Sequence, residues 1–297
     1  MTETKELKKE QAQLVSDTIK ELSKDLRANM YVRGQAQFTD MTNRDFFLKA
    51  YGDSIRYCRP WDKFLVWNGR NWELDDNGRV EEYIMDFIRS MYRAMRYIKD
   101  PQLAVDFEKH LVKSEAFRRI QAIIGLCRMS KEIKIESESL DSNPYLFNAV
   151  NCTVDLKRTG TRKINRFDMS TKCSKFLYDK DAACPTWERF LLQIMNQDTE
   201  LIHFIQKVMG YSLTGDVSEQ CLFILWGTGA NGKSTFLNTI QNLMGDYACS
   251  TGTDTFMMKK NNNMSNDIAR LRGMRLVTTS EVEQGKALSA TLVKQIT

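Results

Sequence analysis

The segment from Gly227 to Ser234, Gly-Thr-Gly-Ala-Asn-Gly-Lys-Ser, constrains the fold of this chain more than any other short stretch. Its spacing, G-x-x-x-x-G-K-[ST], is typical of a loop that wraps the phosphates of a nucleotide. The apolar run Cys221–Trp226 precedes the loop and predicts a buried strand. Apolar residues at helical spacing follow the loop: Phe236, Leu237, Ile240, Leu243 and Met244. The sequence therefore predicts strand, phosphate-binding loop and helix in succession, rather than an accidental glycine-rich turn.

The residue types in this loop suit phosphate chemistry. Glycines let the backbone turn and approach an anion closely. Successive backbone N–H groups and the positive end of the following helix stabilise negative charge. Lys233 can reach the β- and γ-phosphates, and the Ser234 hydroxyl can bind Mg²⁺.

Hydrolysis also needs carboxylates that hold Mg²⁺ and orient water, usually at the end of a neighbouring strand. The β-branched segment Met274–Ser280 predicts such a strand, and Glu281 and Glu283 follow it. We expect one of the two glutamates, Glu281 in the first instance, to hold the metal and the other to polarise the attacking water. The spacing alone leaves the two roles interchangeable, and two surface glutamates remain the alternative.

Composition argues against several other classes of protein. The net charge of +5 permits a polyanionic partner without requiring one. Seven scattered cysteines without a CxxC pair, beside two histidines, make a zinc site a poor prediction and indicate reduced thiols in the cytosol of a host cell. No apolar run is long enough to span a bilayer, and the first residues lack the apolar core of a secretory signal, so we expect no membrane association.

Changes in residue composition and hydrophobic pattern along the chain predict three regions: 1–45, 46–184 and 185–297. The first is a charged helical arm in which Leu14, Ile19 and Leu22 form part of one stripe, and a solvated helix is its simplest interpretation. The second is a mixed α+β module. The third carries the phosphate-binding loop.

Within the second region, strand-forming segments around Trp67 and Trp72 flank an Asn-Gly turn and predict a hairpin whose tryptophans lie in a core or, less simply, stack on bases. Helices are expected over about Val80–Ile98 and Leu103–Cys127, with Asp100-Pro101 as the break. Strands are expected between Tyr145 and Phe176. Basic residues crowd this last stretch, which predicts either a solvated charged face or a nucleic-acid contact: Lys157, Arg158, Arg162, Lys163, Arg166, Lys172 and Lys175.

Two further helices precede the loop. One is expected to begin near Pro185 with Thr186 as its N-cap. The other is expected from Glu200 to Met209, with Gly210 as its C-cap.

Several short motifs occur in one order along the chain. They are Gly210–Asp216, Ser218–Gln220, the phosphate-binding loop, Asp254–Met257, Asp267–Gly273, Thr279–Glu281 and Leu292–Thr297. Together with Trp67-Asn-Gly, Trp72 and the segment Leu140–Phe147, this series resembles the phage and plasmid primase–helicases, superfamily 3 helicases related to the poxvirus primase–helicase. The resemblance extends from about Tyr51 to the end of the sequence.

This resemblance implies an α/β P-loop NTPase core of the AAA+ type, preceded by the α+β module and the helical arm. It implies a hexameric ATPase that uses ATP and Mg²⁺ to move along single-stranded DNA at a replication fork. Lys286 would lie in a segment that contacts DNA. The loop residues would bind the nucleotide: Gly227, Thr228, Gly229, Ala230, Asn231, Gly232, Lys233, Ser234 and Thr235.

The family pattern also includes a sensor strand and an arginine finger beyond the segment that ends at Thr297. These groups orient the attacking water and stabilise transition-state charge. From the sequence alone we therefore expect a core that is incomplete at its C-terminus. Two functions follow: an ATP-dependent helicase, or an ATP- and DNA-binding replication module without turnover. A small-molecule P-loop kinase explains neither the N-terminal module nor the ordered motifs.

Overall fold

The computed structural model describes residues 2–28, 31–32, 35–36, 38–227, 229–257, 271–279, 289–290 and 293–294. The chain forms two compact units, residues 1–140 and 141–297. No described helix has the length and apolar character needed to cross a bilayer.

The first unit combines a helical cluster with a four-stranded sheet. Its helices are α1 (Thr2–Ala28), α2 (Asp40–Tyr51), α3 (Arg79–Met91), α4 (Pro101–Ser114) and α5 (Phe117–Met129). Its strands are β1 (Tyr31–Val32), β2 (Gln35–Ala36), β3 (Ile55–Cys58), β4 (Lys63–Trp67), β5 (Trp72–Leu74) and β6 (Lys134–Ile135). The sheet order is β5-β4-β3-β6, with β3 and β6 parallel and the other neighbours antiparallel, while β1 and β2 pair only with each other.

Helix α1 is part of the core of this unit. Val15, Ile19 and Leu22 are at most 6% exposed and pack into the main hydrophobic cluster. Their spacing of four and three residues places them on one face of the helix. The interpretation of this helix as a solvated arm is therefore wrong. Of the predicted stripe, Ile19 and Leu22 are buried, whereas Leu14 is 39% exposed and Val15 packs into the core in its place.

The predicted hairpin is confirmed as β4 and β5. The side chain of Asn68 accepts hydrogen bonds from the backbone N–H groups of Arg70 (2.8 Å) and Asn71 (2.9 Å), and Gly69 adopts φ +100°. Trp67 and Trp72 face each other with ring centroids 5.5 Å apart and are 5% and 1% exposed. These two rings are core residues and offer no surface to a base.

Two predicted helices have different boundaries in the structure. The α-helix expected to reach Ile98 ends at Met91 and continues as a 3₁₀ helix, Tyr92–Tyr97. The helix expected over 103–127 is two helices, because Ala116 takes an extended conformation between α4 and α5. The predicted break at Asp100-Pro101 is therefore not what ends the first helix; Asp100 instead caps α4, accepting from the N–H groups of Gln102 and Leu103.

The second unit contains β7 (Leu146–Asn148), β8 (Thr153–Asp155), β9 (Gly160–Arg162), β10 (Ala248–Thr251) and β11 (Leu276–Thr279). The first three form an antiparallel sheet, and β10 pairs with β11 in parallel. Its helices are α6 (Pro185–Ile194), α7 (Thr199–Ser212) and α8 (Lys233–Met244). The core joins side chains from these helices to Phe147 and Tyr247, whose rings stack 4.6 Å apart.

The caps of α6 and α7 differ from the sequence prediction. Cys184 occupies the N-cap position of α6 and Pro185 its first turn, so Thr186 lies inside the helix. Helix α7 runs through Gly210 to Ser212, and a Cβ at Gly210 would meet no atom within 4 Å. Gly210 is therefore an ordinary helical residue and not a C-cap.

Candidate nucleotide site

The glycine-rich loop leads directly into the N-terminus of α8. Gly232 adopts φ +84° and Ala230 φ +58°, and the helix begins at Lys233. The N-cap residue is Gly232, and no side chain of the described residues caps this helix end. Its first backbone N–H groups carry the positive end of the helix dipole, which makes the position suited to an anion.

Lys233 closes the loop in this structure. Its Nζ donates to the carbonyl oxygen of Gly227 and to Oδ1 of Asn231, each at 2.9 Å. Both acceptors are neutral, and a phosphate would offer the ammonium group a stronger, charge-assisted hydrogen bond. The lysine is therefore held over the loop by contacts that an anion can replace.

The two glycines at the ends of the loop differ in how strictly the structure requires them. A Cβ at Gly232 would lie 2.7 Å from Cγ2 of Ile194, and its φ is unfavourable for any other residue. A Cβ at Gly227 would overlap the side-chain amide of Asn231. Glycine is therefore required at position 232, whereas at position 227 a larger residue would displace only the Asn231 side chain that now contacts Lys233.

Helix α6 supports the loop and α8 from one side. The ring of Trp187 stacks on Phe236 at 5.6 Å with an interplanar angle of 17°, and Phe190 and Ile194 lie against Gly232. Phe236, Ile240 and Met244 form the buried face of α8. Residues 187, 190, 191 and 194 recur at helical spacing, so the sequence signal for this support was present, although Trp187 had not been singled out.

The remaining predicted loop residues occupy the expected places in the chain. Gly229, Ala230, Ser234 and Thr235 are exposed, and Asn231 is half-buried beside Lys233. Thr228 lies outside the described residues. The exposure of Ser234 leaves its hydroxyl accessible, so the metal role predicted for it stays a prediction.

The segment before the loop differs from its prediction. Cys221–Trp226 is not a strand, and Ile224 and Trp226 are 78% and 91% exposed. In the described part of the chain no strand lies alongside this segment, and a lone extended segment has no partner for its backbone N–H and C=O groups. Its apolar composition therefore does not produce the buried strand that the pattern predicts.

The second half of the predicted site can be followed only to the end of β11. The strand predicted over 274–280 is confirmed as Leu276–Thr279, parallel to β10, and Gln241 of α8 donates from its amide to the Thr278 hydroxyl. Glu281, Glu283 and Lys286 lie outside the described residues. Among the described residues no group of histidine, cysteine, aspartate and glutamate side chains forms a metal site.

A buried arginine, which sequence reasoning did not single out, joins several elements around this site. Arg275 donates to the carbonyl oxygens of Leu213 (2.6 Å) and Leu146 (2.7 Å), and its guanidinium lies 4.4 Å from the Tyr247 ring centroid. Burial lowers the pKa of Arg275 and raises the pKa of Tyr247. The arginine ties β7 and the end of α7 to the residue that precedes β11.

Comparison with known proteins gives a family and one relative. Residues 44–196, about half of the chain, match the family described as D5 N terminal like. A protein of Acanthamoeba polyphaga mimivirus, named as a candidate helicase, is 29% identical over 112 residues. That alignment covers 36% of this chain and 12% of the mimivirus protein. The family match ends before the glycine-rich loop begins.

Proposed function

The chain belongs to the D5 N-terminal-like family, and from that premise we propose that it is a nucleotide-binding DNA replication protein of the primase–helicase type. The observation that carries the proposal is the loop from Gly227 to Gly232, which meets the uncapped N-terminus of α8 with Lys233 folded over it. The mimivirus relative, named as a candidate helicase, supports the same role.

The proposed cofactor is ATP with Mg²⁺. Residues 227–235 would bind the phosphates through backbone N–H groups, Lys233 would neutralise the β- and γ-phosphates, and Ser234 would bind the metal. Bound Mg²⁺ would stabilise the charge that develops on the transferring phosphate. Glu281 or Glu283 would complete the site, one at the metal and the other at the attacking water.

The proposed activity is ATP hydrolysis coupled to movement on single-stranded DNA, with a hexamer as the working assembly. An ATP- and DNA-binding replication module without turnover is the second candidate. The family match favours neither, since it covers residues 44–196 and not the loop.

ATP hydrolysis by the purified chain, measured with and without single-stranded DNA, separates the two candidates. The helicase predicts turnover that DNA stimulates and that Glu281→Gln or Glu283→Gln removes, while both variants still bind ATP. Glu200 is an exposed residue of α7, so Glu200→Gln removes the same charge away from the site and should leave turnover intact. Absent turnover with intact ATP binding supports the binding module, whereas normal turnover in both glutamate variants contradicts the proposed catalytic pair.

A further inference from the structure

The stretch from Lys157 to Tyr178 has an unusual charge balance. It contains seven lysine and arginine residues against one acidic residue, Asp168, a net charge of +6, whereas the whole chain carries +5. The excess positive charge of this protein is therefore concentrated in a short part of the second unit, around β9 and the turn that follows it.

The carboxylates of Asp168 and of Asp155, which lies just before this stretch, point inward, whereas several cations point outward. Asp155 accepts hydrogen bonds from the N–H groups of Lys157 (3.1 Å) and Arg158 (3.0 Å) and is 20% exposed at its side chain. Asp168, 15% exposed, accepts from Arg162 at 2.7 Å. The side chain of Arg158 is 88% exposed, 4.0 Å from Asp155. Both carboxylates hydrogen-bond within the fold through Oδ1, while Oδ2 of Asp168 is buried without a partner among the described residues. Lys157, Arg158 and Lys163 are exposed, and the Lys157 ammonium lies 5.4 Å from the Tyr145 ring centroid.

A phenylalanine is presented to solvent in the turn that follows β9, four residues after Lys163 in the chain. Phe167 is 69% exposed at the centre of a 3₁₀ turn, Arg166–Asp168. Asn165 accepts from the Phe167 N–H at 3.0 Å, and the Arg162–Asp168 ion pair ties the end of the turn to β9. An aromatic ring on a pinned turn loses little conformational freedom when it binds a partner, since its backbone is already ordered.

Exposed cations and an exposed aromatic ring within one short stretch of chain suit one class of polyanion. The phosphates of a nucleic acid can pair with the cations, and an unpaired base can stack on the ring. Bases in a duplex are already stacked on one another. We propose that the surface formed by Lys157, Arg158, Lys163 and Phe167, here the β9 surface, binds single-stranded DNA, with Phe167 stacking on a base and the cations contacting phosphates. The choice of DNA rests on the proposed replication role, while the surface itself is separate from the nucleotide loop.

Fluorescence anisotropy of a labelled oligothymidylate of about 16 nucleotides, titrated with the full chain at several salt concentrations and without nucleotide, tests this surface. Arg158→Gln combined with Lys163→Gln should lower affinity about twentyfold at roughly 0.1 M salt and reduce the salt slope by about 1.4. Lys8→Gln combined with Lys9→Gln removes the same charge from exposed positions of α1 and should change neither quantity much.

Two variants isolate the ring. Phe167→Leu keeps an apolar side chain without an aromatic face and should weaken binding about tenfold, whereas Phe167→Trp should retain it. Equal slopes for the two double variants, full affinity in Phe167→Leu, or equally tight binding of duplex DNA would each overturn the proposal. Because no nucleotide is present, failure of ATP binding leaves this measurement unaffected. A urea unfolding midpoint like that of the wild type would show that the Arg158 and Lys163 double variant is folded, whether or not the chain binds ATP.

Discussion

Gly232 meets two structural requirements at one position of the proposed nucleotide site. Its backbone lies in the left-handed region at φ +84°, and it packs against Ile194 on the neighbouring helix α6. The motif predicts a glycine here because the chain must turn into the helix. The contact with Ile194 could not be read from the sequence, since it depends on where α6 packs.

Gly232→Ala should therefore destabilise the start of α8 by about 1–2 kcal/mol and weaken ATP binding. Gly210→Ala is the matched control, because Gly210 is helical and its Cβ would be unobstructed. It should leave binding unchanged and stabilise the chain by about 0.5–1 kcal/mol. Urea unfolding and calorimetric titration with ATP measure both effects, and similar behaviour of the two variants would contradict the geometry described for the loop.

His110 provides a pH-dependent contribution to stability in the first unit. It lies on α4 with Nε2 2.9 Å from Oδ1 of Asn43. Burial lowers the pKa of His110 from 6.5 to about 4, with nearby Asp40 opposing the shift. The folded chain thus keeps the imidazole neutral where the unfolded chain protonates it. Stability is complete above pH 6.5 and falls as the pH decreases towards 4.

His110→Gln should flatten this acid sensitivity, because glutamine can hydrogen-bond Asn43 without titrating. His203→Gln, at the exposed second histidine on α7, should keep it. Urea midpoints followed by tryptophan fluorescence across the range from pH 7 to about pH 4 give the comparison. Identical pH profiles for the wild type and His110→Gln would assign the acid sensitivity to other groups.

At the scale of elements, the sequence predicts the helices and strands that are specified by residues close together in the chain. The β4–β5 hairpin follows from an Asn-Gly turn between strand formers, and α8 follows from the apolar spacing after the loop. Helix ends were less predictable. The break between α4 and α5 and the continuation of α7 through Gly210 carry no strong local signal.

The segment Cys221–Trp226 shows what periodicity cannot supply. Six apolar residues in a row are compatible with a central strand, but a strand exists only beside another strand. In the structure its side chains lie on the surface, and the sequence pattern alone could not reveal this. Contiguous exposed apolar patches on proteins commonly mark interaction or aggregation sites.

Acrylamide quenching of tryptophan emission tests this exposure. Trp226 is 91% exposed and Trp72 is 1% exposed. Trp226→Phe should therefore remove much of the readily quenched emission, and Trp72→Phe should remove emission that acrylamide barely reaches. If Trp226→Phe leaves the quenching curve of the chain unchanged, the segment is buried in solution, as its sequence pattern predicts.

At the scale of the whole molecule, the sequence predicts some parts of the proposed functional surfaces better than others. Spacing alone predicts a phosphate-binding loop, and the structure adds the contacts of Lys233 with Gly227 and Asn231 and the support from α6. The carboxylates at Glu281 and Glu283 stay predictions from sequence. The exposed ring of Phe167 beside inward-facing carboxylates could be recognised only in three dimensions, because sequence shows charge without orientation.

The central claim is that the loop from Gly227 to Thr235 binds the phosphates of ATP. Isothermal titration of Mg-ATP into the wild type, Lys233→Ala and Lys207→Ala tests it most directly. Lys207 is an exposed lysine on α7, so its variant removes the same charge away from the loop. We expect Lys233→Ala to weaken binding at least about tenfold and Lys207→Ala to bind like the wild type. Wild-type affinity in Lys233→Ala would contradict the claim.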